Sequence, residues 1–398
     1  MLGYVGDPIF AHGLHWQVWL IVVVKVLLAF ALLMLSVLFM VMYERKAVAW
    51  LGVRYGPNRA GPGGWLQSLA DGVKLFFKEA FTPARADKWV YKAAPYLVVI
   101  PAFVAFSIVP IGGTVNLWGW HTRLQVADPP WGILLMLMAS GVTVYGVMLA
   151  GWASGSKYPL LGSVRASAQM VSYEAVLGLT VATVVLETGS LQTSAIWLSQ
   201  RSIFYHWNFL RTGLIPFALF AIAITAEMTR APFDLVEAEE ELSGGFNLEY
   251  SSIAFALFYL AEYMALVTNS AIMVTLWFGG PDGPFIATYG WLGIVWFALK
   301  TLIILYIFVW IRATLPRMRY DQLMELGWKR MIPVALAMLL VVAGFQVSYE
   351  WGFIAVGGSL VALAVLLRAI DVGSVAASVD VSSEEVAAGG PATGTGVT

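Results

Sequence analysis

Nine runs of apolar residues divide the chain, each near the length of about 20 residues that an α-helix needs to cross a hydrocarbon layer. They are Gln17–Met42, Tyr96–Ile111, Trp131–Ala153, Val164–Leu186, Gly213–Met228, Ser251–Phe278, Trp291–Ile311, Met331–Val347 and Gly352–Leu367. Backbone groups in a bilayer must be satisfied within the protein, so runs of this kind fold as helices. Composition agrees: 60% of the 398 residues are hydrophobic and only 12% are charged, against about 25% charged in soluble domains. The expected fold class is all-α, a polytopic integral membrane helical bundle with about nine transmembrane helices. The last two runs are separated only by Ser348–Trp351. Eight spans follow if they form one bent segment, but their combined length favours a tight hairpin. Pro95, Pro101 and Pro110 predict kinks around the second run, and the fifth is short.

The chain contains no cysteine, which excludes a disulfide framework, a thiolate zinc site and a cysteine-ligated iron–sulfur cluster. Its four histidines, His12, His15, His121 and His206, all lie outside the apolar runs, where they are badly placed to hold an intramembrane haem. No metal site is expected. A net charge of −1 gives no support for nucleic-acid binding.

Lysine and arginine are distributed unevenly between alternate loops. Eighteen fall on one side and three, Arg123, Arg201 and Arg211, on the other, with Lys25 and Lys300 inside spans. The basic side is expected to be cytoplasmic. Residues 1–16 then form an external N-terminal segment and 17–370 a single transmembrane domain. Its functional cytoplasmic loops are 43–94, 229–250 and 312–330, and 371–398 form a disordered cytoplasmic tail.

The cytoplasmic loops hold the unusual content. The first is rich in Gly and Pro between Val53 and Gly64, which demands a stiff, turn-rich path. Leu66, Leu69, Val73, Phe76, Phe77 and Ala80 then recur at helical spacing, with Asp71, Lys74 and Lys78 on another face. A helix too short to span and of this pattern is expected to be amphipathic and interfacial. It reads either as a surface helix with snorkelling lysines or as a helix whose Asp71, with nearby arginines, lines a polar cavity. The loop from Thr229 to Tyr250 carries Asp234, Glu237, Glu239, Glu240, Glu241 and Glu249 against the single base Arg230. It suits either a solvated docking surface for a basic partner or proton uptake and release by crowded carboxylates.

Glu174, Glu227, Glu262 and Lys300 fall within or at the ends of apolar runs. An unpaired charge at mid-bilayer costs about 2.5–3.5 kcal/mol even on the lenient insertion scale. Several, in four different spans, imply a shared hydrated interior, with pairing of Lys300 to a glutamate as the structural alternative. Glu227, close to a cytoplasmic end, is also placed to snorkel. Glu174 and Glu262 are the stronger proton-relay candidates, and Lys25 is read as snorkelling toward the outer face.

Longer motifs now add to this reading. Glu44-Arg45-Lys46, Arg54-Tyr55-Gly56-Pro57-Asn58-Arg59, Ala70-Asp71, Ser172-Tyr173-Glu174, Ala226-Glu227, Pro232-Phe233-Asp234-Leu235, Ala261-Glu262-Tyr263 and Arg319-Tyr320-Asp321-Gln322 stand in this order. The set resembles the H-type membrane subunit of bacterial respiratory complex I (NADH-quinone oxidoreductase) and its mitochondrial counterpart, NADH dehydrogenase subunit 1. The resemblance runs from about residue 20 to 345. It implies a membrane-arm subunit of the proton-translocating NADH:quinone oxidoreductase, without a redox cofactor of its own. Quinone is the substrate implied, with NADH, FMN and iron–sulfur clusters in partner subunits. Partners implied are the quinone-site and iron–sulfur subunits of the peripheral arm and the small and antiporter-like subunits of the membrane arm, in a bacterial plasma membrane.

Carried over residue by residue, the resemblance places Arg45, Arg54, Asp71, Arg312 and Arg317 at the quinone cavity and its mouth. It places Glu174, Glu227, Asp234, Glu237, Glu239, Glu241 and Glu262 on an acidic proton path, to which Lys300 is added as an intramembrane base. The third span departs from members that carry an acid there; here Thr143 and Tyr145 are left to hold a water chain. The competing readings are the membrane subunit of an energy-converting hydrogenase and a stand-alone ion-coupled transporter.

Overall fold

The computed structural model describes residues 7–9, 15–117, 120–201, 206–234, 245–284, 291–365 and 368. In chain order its helices are α1 (Trp16–Leu51), α2 (Gln67–Phe77), α3 (Lys88–Ser107), α4 (Gly132–Ala153), α5 (Lys157–Thr188), α6 (Thr193–Ser199), α7 (Asn208–Arg211), α8 (Leu214–Glu227), α9 (Ser252–Trp277), α10 (Leu292–Thr314), α11 (Tyr320–Glu325), α12 (Ile332–Val347) and α13 (Tyr349–Val365). One departure from the all-α expectation is a small antiparallel hairpin, β1 (Thr114–Leu117) with β2 (Trp120–Arg123), in the register Thr114↔Arg123.

Among the described residues seven helices are long and apolar enough to cross a membrane. They are α1, α3, α4, α5, α9, α10 and the continuous run Tyr320–Val347, in which a π-helical turn over Leu326–Met331 joins α11 to α12. The other two expected spans are shorter apolar helices, α8 and α13. At 1.5 Å per residue the 14 residues of α8 reach only about 21 Å, short of a hydrocarbon layer of about 30 Å. The bundle is therefore a multi-pass membrane fold.

Helix ends differ from the expected spans for local reasons. The apolar pattern ends the first span at Met42, yet α1 continues through Leu51 over 36 residues. The sequence Tyr43–Leu51 is polar in places but contains no breaker before Gly52, so hydrogen bonding carries the helix past the apolar run. Glu44 and Arg45 thus stand on a rigid helix, not in a loop. Helix α3 begins at Lys88, earlier than Tyr96, because Asp87 caps it by accepting from the Trp89 N–H at 3.2 Å.

Helices α3, α4 and α5 pack in sequence, α8 and α12 lie against α5, and α9 is packed against α1, α3 and α10. The core is continuous, with Leu33, Tyr173, Phe220 and Trp277 fully buried. Helices α12 and α13 fold back on one another: Gly344 lies against the backbone of Trp351 and Gly352 and the methyl of Ala355, which no straight helix would bring together. A tight hairpin, as the sequence suggested, is what this end of the chain forms.

On the side opposite the basic loops, Lys25 does not snorkel. Its ammonium donates to Asp7 at 2.7 Å and to Thr122 of β2 at 2.9 Å, and both charged side chains are largely buried. Nearby Arg123 pairs with Asp128 at 2.9 Å and donates to Ser194 at 2.7 Å. The hairpin is thereby fastened to α1 and α6 by charge-assisted bonds.

Small residues set the closest helix approach. A Cβ added to Gly151 of α4 would lie 2.4 Å from the carbonyl oxygen of Pro159 on α5, a backbone atom that cannot rotate away. Gly151→Val is expected to cost about 2–3 kcal/mol through overpacking, read as a lowered unfolding temperature in detergent micelles. Unchanged thermal stability would show that α4 and α5 are not in this contact.

Candidate functional site

On the basic side of the bundle, acids and bases from four segments meet in one chain, buried except at its Arg312 end. Glu44 of α1, only 3% exposed, accepts from Arg312 of α10 on one carboxylate oxygen and from Arg230 at 2.8 Å on the other. Arg230, in the segment after α8, also donates from Nε to Glu262 of α9 at 2.8 Å. Its guanidinium lies 4.5 Å from the ring centre of Tyr263, a cation–π contact that fills the remaining face. Burial alone would drive Arg230 toward its neutral form, but Glu262 and then Glu44 outweigh it and raise its pKa, so the side chain stays charged. Arginine and glutamate alternate along the series, leaving no buried charge without an opposite neighbour.

Two cavities flank this series. The larger, about 390 Å³, is bounded by Glu44, Arg45, Arg54, Tyr55, Tyr263 and Arg312 among others. The smaller, about 100 Å³, lies within the bundle and is lined by apolar side chains together with Glu227, Glu262, Ser140, Thr143, Thr268 and Asn269. Glu44 faces the first and Glu262 the second, with Arg230 bonded to both.

Of the residues assigned to the quinone cavity from sequence, Arg45, Arg54 and Arg312 line the large cavity together. Asp71 does not line it, but accepts from Arg45 at 2.7 Å and from Gln67 at 2.9 Å, holding that guanidinium from α2. Arg317 lies apart from them, donating to the backbone carbonyl of Asp234. The amide of Met318 likewise donates to Pro232 at 3.1 Å, so the segment after α10 is laid against the segment after α8.

Of the assigned proton-path residues, Glu227 and Glu262 share the inner cavity, and one oxygen of Glu227 has no hydrogen-bond partner among the described residues. Glu174 of α5 accepts from Ser140 at 3.5 Å. Gly141 of α4 lies beside it, where an added Cβ would come 3.1 Å from a Glu174 carboxylate oxygen. Ser140 thus stands between the cavity and Glu174. Thr143 lines the cavity, but Tyr145 is 69% exposed on another face of α4 and takes no part. Glu237, Glu239 and Glu241 lie outside the described residues.

Lys300 is not paired with a glutamate of this group. Its ammonium donates to the carbonyls of Phe278, Gly280 and Asp282 at 2.7, 3.1 and 2.6 Å and sits 4.7 Å from the Trp207 ring centre. Phe278 is about 24 Å further along the chain direction of α9 than Glu262, at 1.5 Å per residue. The cation is drawn there by carbonyls left unsatisfied at a helix C-terminus.

Sequence reasoning passes over Glu44 and Arg230 as site residues. Arg230 carries a signal, as the one base in an acidic loop; Glu44, just beyond an apolar run, carries none. No group of three or more histidine, aspartate or glutamate side chains able to hold a metal ion occurs among the described residues. Replacing Arg230 with Met leaves Glu262 buried without its counter-charge and Glu44 with Arg312 alone, at a cost of about 3–5 kcal/mol. Arg230→Met should therefore lower the unfolding temperature markedly, and adding Glu262→Gln should recover part of the loss. Equal stability of Arg230→Met and the parent would show that no buried ion pair exists here.

The geometry can be set beside known proteins. The family model described as NADH dehydrogenase matches residues 24–343. The NADH-quinone oxidoreductase H subunit of Frankia alni is 50% identical over 335 residues, covering 83% of this chain and 73% of that protein. Its counterpart in Streptomyces avermitilis, of the same name, is 46% identical over 366 residues, covering 87% and 79% respectively. That of Frankia casuarinae is 49% identical over 335 residues, covering 83% and 73%. The matched region contains the whole charge series and both cavities, and the chain belongs to the NADH dehydrogenase family as an H-type membrane subunit of NADH-quinone oxidoreductase.

Proposed function

We propose that this chain holds quinone at the foot of the membrane arm of a proton-translocating NADH:quinone oxidoreductase and carries the first part of the path that couples quinone reduction to proton movement. The observation that supports this best is the double bonding of Arg230, to an acid on the wall of the large cavity and to an acid on the wall of the inner one. In this reading the basic side faces the cytoplasm of a bacterial plasma membrane. Quinone-site and iron–sulfur subunits dock there, and small and antiporter-like subunits continue the membrane arm.

The substrate takes two electrons and two protons to become hydroquinone. Electrons arrive from an iron–sulfur cluster in a partner, supplied by NADH through FMN. The chain's own part is binding and proton movement. A cavity of about 390 Å³ falls in the range that binds small organic ligands. Arg45, Arg54 and Tyr259 place hydrogen-bond donors on its wall, while Val48, Ala49 and Pro57 offer apolar contact. Asp71 holds Arg45 in place, and Arg317 braces the Asp234 segment beside it in the chain's cytoplasmic loops.

Proton demand in the cavity then acts on Glu44, whose two oxygens are each held by an arginine. A proton on Glu262 weakens its bond to Arg230, which shifts toward Glu44, and the freed carboxyl faces the inner cavity. From there Glu227, then Ser140 and Glu174, continue the route across α4. Asp234 and the acids Glu237, Glu239 and Glu241 extend it on the cytoplasmic side. Coupling arises because each group's protonation depends on its neighbours' charge. Lys300 enters the proposal only as the fixed charge that closes the far end of α9.

Two measurements test this. A photoreactive quinone-site inhibitor should label the segment Glu44–Pro57 in the assembled complex; labelling confined to lipid-facing helices would remove the cavity assignment. Glu262→Gln and Glu174→Gln should each assemble normally while proton-coupled turnover drops by about tenfold or more. Normal coupled activity in both variants would sink the proton route.

A further inference from the structure

Residues 74–92 carry five bases, Lys74, Lys78, Arg85, Lys88 and Lys92, against two acids, Glu79 and Asp87. All five bases are exposed, and none of them forms an ion pair among the described residues. Asp87 is engaged as the cap of α3, which leaves Glu79 as the only other acid in the stretch. Four large aromatic side chains stand among these bases and are exposed too: Phe76 (71%), Phe77 (88%), Phe81 (62%) and Trp89 (87%).

The stretch doubles back, and the structure fastens both of its arms at one place. The hydroxyl of Ser252 donates to the carbonyls of Leu75 and Lys78 at 3.0 and 2.9 Å, and the Phe81 N–H donates to Ser251 Oγ at 2.9 Å. Tyr91 stacks on Tyr250 with ring centres 4.1 Å apart and donates to the Glu249 carbonyl at 2.7 Å. The end of α2 and the first turn of α3 are thus tied to Tyr250, Ser251 and Ser252, three consecutive residues that span at most about 7 Å. Bases from both arms are gathered around the N-terminus of α9. The ring of Trp65, just before α2, stacks on Phe39 of α1 at 5.4 Å, and Ser68 reaches the Leu38 carbonyl of the same helix at 3.3 Å. Leu38 and Phe39 belong to the apolar part of α1, so α2 lies against a membrane-spanning segment near its basic end.

We propose that this face is a binding site for the head groups of anionic phospholipids, with α2 laid in the boundary between head groups and acyl chains. Three properties of the face fit that occupant together. Its apolar helical face is left open by the rest of the chain, its Phe and Trp side chains are those that bury the apolar face of interfacial helices, and its net positive charge is borne by flexible cations beside them. A zwitterionic lipid satisfies the first two properties and not the third. The lipid site is independent of the quinone assignment and would stand without it.

The absence of cysteine from the chain makes the test simple. Ala84→Cys, at an exposed position between the two arms, carries a bimane label on the full-length protein in phosphatidylcholine nanodiscs. A tenth of the lipid is replaced with phosphatidylglycerol or phosphatidylcholine bearing identical dibrominated chains. Brominated phosphatidylglycerol is expected to quench about threefold more than its phosphatidylcholine counterpart. The ratio should fall toward one in 0.5 M NaCl, and in a variant combining Lys74→Gln, Lys78→Gln and Lys88→Gln, while the matching Lys→Arg variant keeps it. Equal quenching by the two lipids in the unsubstituted background would overturn the site and leave the face to a protein partner. A ratio indifferent to both salt and the Gln substitutions would overturn it as well.

Discussion

A guanidinium almost shut off from water needs its counter-charge within the protein, and Arg230 is bonded by two carboxylates from different helices through two of its three nitrogens, the third having no hydrogen-bond partner among the described residues. That requirement fixes more than one bond. Glu44 brings α1, Glu262 brings α9, and Arg312 reaches in from α10 to the far oxygen of Glu44. Three long helices and the segment after α8 are held at a common level by charges that none of them could keep buried alone. Removing Arg230 leaves Glu262 uncompensated and Glu44 dependent on Arg312 alone, so the inner members couple the whole series. The two cavities take their positions from it, one on either side of the same arginine.

The inner cavity shows how space substitutes for chemistry. Helix α4 supplies no acid, but it supplies Ser140, Thr143 and the bare Cα of Gly141. The carboxylate of Glu174 leans from α5 into the room that Gly141 leaves. A helix of hydroxyls and small residues thereby passes the line of polar groups from Glu227 toward Glu174 without a titratable group of its own.

The helices are legible in the sequence because a bilayer imposes a length and a polarity on each span. Their ends are less so. An apolar run reports where lipid ends, whereas a helix ends where its hydrogen bonding is interrupted, and α1 runs on to Gly52 for that reason. The same distinction hides Glu44, since an acid beyond an apolar run looks solvated until packing from α9 and α10 covers it. Acids placed inside spans stand out readily: Glu227 and Glu262 meet in one cavity, and Glu174 lies one hydroxyl away. Thr143 and Tyr145 are expected to act together, yet two residues on a helix point about 200° apart, and only Thr143 turns inward. Lys300 is identified as buried, but its partners are backbone carbonyls, which no side-chain pattern announces.

That lysine has a consequence of its own. The three carbonyls around its ammonium resemble the oxygen cage that would hold a free monovalent cation, except that here the cation is tethered to α10. A tethered ion has a fixed, high effective concentration at its site and no exchange with the medium. The turn after α9 is therefore bridged to α10 without a dissolved ion, and the end of the helix opposite the charge series is tied to its neighbour by the same three bonds. Movements of α9 that accompany changes at Glu262 would have to pivot about this anchored end.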